Sequence, residues 1–188
     1  MACAISRYPV HRIDEVSAAD GTHVVIRPML PHDGRLQRDF FRGLSAESRY
    51  NRFMAQVNHA PEALIERLAA VDHVRHLALL ALLIENGRAV MIGEARYVVG
   101  AEDATICELA IAVADRWQSQ GIGRALLDRL QRHAGASGIH RLVAETLIGN
   151  RPMIALARSS GFAVRASRED ARLAILEKRL LGERPAAA

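Results

Sequence analysis

The strongest constraint on this chain is a change of hydrophobic period across one short glycine loop. From Thr105 to Ala114 the residues are mostly apolar and suit a strand, with Glu108 as the only charge. From Ile122 the period becomes helical. Ile122, Leu126, Leu130 and Ala134 recur every four residues, flanked by Leu127, and Gly135 and Gly138 end the run. Between strand and helix lies Gln118-Ser119-Gln120-Gly121-Ile122-Gly123. A helix N-terminus offers unpaired amides and the positive end of the peptide dipole. Glycines there let an anion approach the backbone. Taken alone, the loop is either a phosphate site or a turn with no ligand.

Two familiar phosphate loops are excluded. A dinucleotide fingerprint needs a third glycine where Leu126 stands, and a Walker loop needs Lys-Ser/Thr where Arg124-Ala125 stands.

The rest of the chain supplies a sheet for this junction. Thr22 to Arg27 reads as a strand ending at Pro28. Asp33 is placed to cap a helix through Leu36, Phe40 and Phe41. A second helix covers Ala46 to Phe53, and Pro61 opens a third that carries Leu64, Ile65 and Leu68. His76–Ile84 and Ala89–Val99 read as strands joined by a turn at Glu85-Asn86-Gly87. His140–Thr146 is a further strand. Asn150 then caps a helix that stops at Gly161, and Phe162–Arg165 and Leu173–Glu177 close the sheet. The expected fold is mixed α/β (α+β): one central, mostly antiparallel sheet flanked by helices. Residues 1–21 are expected to form an N-terminal arm, 22–181 the single domain, and 182–188 a flexible tail.

Composition bounds the function. The 188 residues, 50% hydrophobic, suffice for one core without staples. Cys3 and Cys107 are far apart, so no disulfide framework is expected. No apolar run reaches the ~18 residues of a membrane span, and Met1–Tyr8 lacks a secretory layout. These features point to the cytoplasm and to no membrane partner. A net charge of +4 suits an anionic ligand or an acidic protein surface. Aromatic content is only 4%, with no basic run interleaved with aromatics, which argues against nucleic acid.

The loop and its surroundings resemble a known family. Gln118-x-x-Gly121-x-Gly123 is similar to the Gln/Arg-x-x-Gly-x-Gly/Ala motif of the GNAT N-acetyltransferases. The order of elements also agrees, as does Asn150 followed by Gly161-Phe162. The resemblance implies acetyl-CoA as co-substrate. Its pyrophosphate would sit on Gln118, Ser119, Gln120, Gly121, Ile122, Gly123 and Arg124. Its pantetheine would pair with the strand around Ile111 and Val113, and Asn150 would reach the pantetheine region. A narrower likeness runs through Tyr8-Pro9-Val10-His11, Asp20-Gly21-Thr22, Ile26-Arg27-Pro28, Pro31-His32-Asp33 and Arg52-Phe53. These landmarks resemble the acetyltransferase domain of bacterial Pat-type protein lysine acetyltransferases, which act on acyl-CoA synthetases. Glu108, ten residues before Gln118, matches their catalytic glutamate. Many GNAT enzymes have a tyrosine where this chain has Ala157; the Pat-type group also lacks it.

A lysine ammonium, with a pKa of ~10.4, must lose a proton before it attacks a thioester. Glu108 is the expected base. Its apolar neighbours suggest burial, which would raise its pKa towards the working range. The oxyanion donor is expected at the Val113 amide. The expected acceptor is a protein lysine. Two alternatives stay open: a small-molecule amine, and a binding module without turnover. A homodimer is compatible with either. No metal is expected, because His73 and His76 beside Asp72 lack a third ligand in sequence. Tyr50 and Arg52 read as helix packing, Trp117 as an anchor by burial, and Cys107 as facing away from Glu108.

Overall fold

The computed structural model describes residues 8–57 and 60–180. Cys3 and the expected tail 182–188 lie outside them. In chain order the elements are β1 (Asp14–Ser17), β2 (His23–Pro28), α1 (Gly34–Gly43), α2 (Ala46–Phe53), α3 (Glu62–Ala69), β3 (His76–Glu85), β4 (Arg88–Val99), β5 (Ile106–Val113), α4 (Ile122–Ala136), β6 (Arg141–Leu147), α5 (Arg151–Ser159), β7 (Ala163–Ala166) and β8 (Leu173–Arg179). The strands form one sheet in the order β1-β2-β3-β4-β5-β6-β8-β7. Every neighbouring pair is antiparallel except β5 and β6.

The unbroken apolar run of β3 follows from burial on both faces. Leu77, Leu79, Ala81 and Leu83 pack with α4, while Ala78, Leu80 and Leu82 pack with Phe40, Phe41 and Ile65 of α1 and α3. The α4 stripe (Ile122, Leu126, Leu127, Leu130 and Ala134) is almost wholly buried. Each such leucine contributes ~1.5–3 kcal/mol. Gly93 lets α4 come this close, because a Cβ there would stand 3.0 Å from Leu126 Cδ1. A bulge opposite Ala81 and Leu82 takes in Ile92. It returns Glu94 and Arg96 to the face covered by α1–α3. Asn86 (φ 50°) and Gly87 (φ 74°) make the tight turn between β3 and β4.

Two expectations change. The segment read as an arm contains β1, which pairs with β2 from Asp14↔Ile26 to Ser17↔His23. Its exposed Asp14, Glu15 and Ser17 conceal the strand pattern. Asp33 precedes α1, but its carboxylate does not cap that helix. Instead it grips the Arg27 guanidinium at 2.6 and 2.8 Å and accepts the Leu30 amide at 2.7 Å. Among the described residues, no helix is long and apolar enough to cross a membrane.

Candidate active site

The sheet opens between its two parallel strands. β5 and β6 are in register only at Ile106↔Arg141, Cys107↔Leu142 and Glu108↔Val143. β5 then runs on to Val113 beside β4 alone. The bonds Gly100 N–H to Ile106 O (2.9 Å) and Ala114 N–H to Ile92 O (2.8 Å) fix the parity of the β4–β5 ladder. The Leu109 carbonyl and the main-chain groups of Ile111 and Val113 therefore face away from β4, into the gap. Ile111 and Val113 are half-buried. Strand polar groups in this position call for a partner.

The glycine loop stands at the wide end of this gap. A short turn, Asp115–Trp117, leaves β5, and Trp117 anchors it by burial. Ser119 (φ 60°) and Gly121 (φ 86°) take left-handed conformations that wrap the backbone round the start of α4. No side chain caps this helix. The amides of Gly121, Ile122, Gly123 and Arg124 have no acceptor among the described residues. Space outside Gly121 is open, whereas a Cβ on Gly123 would meet Leu156 Cδ2 at 3.3 Å and Val113 Cγ2 at 3.7 Å. The start of α4, the end of β5 and α5 thus converge. The Gln120 carbonyl holds the Ala19 amide at 3.1 Å, while its side-chain Oε1 is buried without a partner. Open amides round a glycine cradle fit a diphosphate group.

The side chains of Gln118, Arg124 and Asn150 turn to the protein. Gln118 Nε2 donates to Val113 O and Ser48 Oγ, each at 3.1 Å. Asp115 accepts from the Ser45 amide (2.8 Å), Ser45 Oγ (2.6 Å) and Ser48 Oγ (2.7 Å). Together these bonds fasten the start of α2 to the loop. Arg124 reaches Ser159 O at 2.8 Å and Ser159 Oγ at 2.7 Å. Asn150 caps α5 as the sequence suggests, accepting from Met153 N at 3.2 Å. Its amide group donates to Thr146 Oγ1 at 3.1 Å. It stands beyond the C-terminal end of β6, at the wide end of the gap.

Glu108 occupies the apex, the last position at which β5 still pairs with β6. It shares a sheet face with Ala110 and Ala112, opposite Val98, Arg96 and Glu94 of β4. The side chain is exposed. The expectation of a buried carboxylate is therefore corrected. Its neighbours Cys107, Leu109 and Ile111 serve the α4 face, and the sheet opens beside Glu108. Val113 lies five residues further along β5, about 17 Å at ~3.4 Å per residue. That is too far for Val113 and Glu108 to act on one carbonyl. The gap-facing amide of Ile111 is about 10 Å along the strand from Glu108.

A buried carboxylate does stand on β4: Glu94 is fully inaccessible. Arg96 binds it through Nε (2.9 Å) and Nη2 (2.6 Å), Gln37 Nε2 donates to it, and Arg52 lies at 3.4 Å. Burial pushes its pKa up, but the Arg96 guanidinium, Arg52 and Gln37 outweigh this and hold it at about 2. Burial lowers the pKa of Arg52, and the charges of Glu94 and Glu108 oppose that shift. The Arg52 guanidinium also stacks on Phe53 and Phe41, at 5.2 and 5.8 Å. Arg52 is therefore more than helix packing. Its signal was available in sequence: Glu94 and Arg96, two apart inside an apolar strand, share one face and must pair if buried.

Three further residues have settled roles. His76 engages both ring nitrogens, with Ala70 O (3.1 Å) and Arg96 Nη1 (3.0 Å). Cys107 faces the α4 core, where burial pushes its thiol up to about 12. Ala157 is wholly buried.

A sheet parted between parallel strands, a glycine cradle at its wide end and a carboxylate at its apex define an acyl-transfer scaffold. The acetyltransferase (GNAT) family model matches residues 40–162, and the chain belongs to that family, which uses acetyl-CoA. It is 31% identical over 154 residues to the acetyltransferase PA5475 of Pseudomonas aeruginosa, covering 82% of each chain. It is 32% identical over 138 residues to the acetyltransferase Pat of Mycolicibacterium smegmatis, covering 73% of this chain and 40% of that one. Among solved structures, the GNAT domain of S. lividans PAT superposes with a TM-score of 0.84 at 30% identity, covering 93% of this chain and 100% of that one.

Proposed function

We propose that this chain transfers the acetyl group of acetyl-CoA to the ε-amine of a protein lysine by direct attack, with Glu108 as general base. The observation that carries the reading is the position of Glu108 at the apex of the β5–β6 gap, on the sheet face that also bears Glu94 and Arg96. The pyrophosphate would rest on the amides from Gly121 to Arg124. The pantetheine would run along Ile111 and Val113 towards the apex, completing the sheet by main-chain hydrogen bonds. The thioester then lies near Glu108. Glu108 takes the proton of the attacking amine, directly or through water, and its exposure gives that proton a path to solvent. The Ile111 amide, in place of Val113, stabilises the carbonyl oxygen. Similarity to Pat enzymes favours a protein lysine over a small amine. The test is incubation with acetyl-CoA and a cell extract, read as acetyl-lysine on discrete proteins. Acyl-CoA synthetases are the first bands to examine. Acetylation of free amines alone would overturn the protein-acceptor reading.

A further inference from the structure

Of the 25 Lys and Arg residues in this chain, one is lysine, Lys178. Every ion pair among the described residues uses arginine as its cation. Lys178 lies on β8, half-buried. Its ammonium donates to Ser160 O at 2.6 Å and to Gln131 Oε1, and stands 5.8 Å from the Phe162 ring centroid. Ser160 is the C-cap of α5, so this amine closes the carbonyl end of that helix. Asn150 and the gap lie at the opposite end of α5.

We infer that this chain is built to escape its own reaction: it presents no free lysine amine, and the one lysine it has is withheld as a helix cap. The inference rests on the lysine-acceptor reading. In that reaction a neutral amine attacks the thioester carbonyl, a C–N bond forms, the C–S bond breaks, and the CoA thiolate leaves and is protonated. An enzyme acting on exposed lysines meets its own surface, and that of other copies, at every turnover. Arginine supplies solvated positive charge without offering a nucleophile, because the guanidinium stays protonated (pKa > ~12). Lys178 reacts only after giving up its proton and its bonds to Ser160 and Gln131.

The test compares the full chain with the triple variant Arg35→Lys, Arg42→Lys and Arg158→Lys. All three positions are exposed and keep their charge. Each protein is incubated with acetyl-CoA beside a cell extract and read by peptide mass mapping. A third sample adds Glu108→Gln to the triple variant, to subtract uncatalysed acetylation. The expected result is Glu108-dependent acetylation of the new lysines, at least about tenfold above that of Lys178. Equal acetylation of Lys178 would overturn the inference. So would unmodified new lysines in a sample whose extract proteins are acetylated; in that case the lysine-acceptor reading survives. If extract and variant both stay unmodified, the acceptor reading fails, and the inference with it.

Discussion

Replacing Gly121 by alanine isolates what the glycine loop contributes. At φ 86° and ψ −11° an L-residue is strained, by ~1–2 kcal/mol. No atom lies within 4 Å of the added Cβ, so packing adds nothing to this cost. The strain has two outlets. If the loop keeps its shape, the native state loses the full amount and Tm falls by about 2–8 °C, at ~2–4 °C per kcal/mol for a chain of this size. If the loop relaxes, the amides from Gly121 to Arg124 leave their alignment. Acetyl-CoA affinity then falls about 5–30-fold, the equivalent of the same energy. Calorimetric titration and thermal melts measure both outlets. Acetyl-pantetheine, which lacks the pyrophosphate, serves as the control ligand. The structure predicts a loss that spares acetyl-pantetheine. An equal loss for both ligands, or neither effect at all, would refute the assignment of this loop to the pyrophosphate.

Other perturbations test the frame around the site. Glu94→Gln leaves Arg96 and Arg52 without their counter-charge in the interior and should destabilise by ~3–5 kcal/mol at pH 7 in urea unfolding. The folded pKa of Glu94 lies below its unfolded value, from 4.5 to about 2. Its ionised form therefore stabilises fully above pH 4.5, by about 3 kcal/mol, and that stability is lost as pH falls towards 2. The gap between wild type and Glu94→Gln should accordingly narrow between pH 7 and pH 3. Asp115→Asn loosens the fastening between α2 and the loop. Exposure limits the loss to ~1 kcal/mol, read as a rise of up to about fivefold in the acetyl-CoA Kd. Cys107 should resist iodoacetamide in the native protein and react on unfolding, by peptide mapping, because burial keeps the thiol protonated.

The sequence made some of this plain because local physics decided it. The loop and α4 were legible from the change of period at Ile122, and the α5 cap from Asn150. The turn before β4 was marked by Asn86-Gly87. What escaped depended on how the sheet is assembled. Whether Glu108 is buried depends on where β6 departs, and nothing local to β5 says that pairing ends at Val143. β1 was hidden because an edge strand with exposed Asp14, Glu15 and Ser17 lacks apolar alternation. The Glu94–Arg96 pair could be read from its spacing on β4, but the part played by Gln37 and Arg52 was hidden, because they come from α1 and α2, distant in sequence.

The central claim is that Glu108, at the apex of the opened sheet, takes the proton of the attacking amine. The direct measurement is Glu108→Gln, with turnover on a lysine acceptor and acetyl-CoA binding determined on the same preparation at neutral pH. The structure predicts a fall in kcat of ~10²-fold or more, with the acetyl-CoA Kd within about twofold of wild type, since the cradle lies past Val113, itself about 17 Å along β5. Turnover equal to that of the wild type would contradict the account.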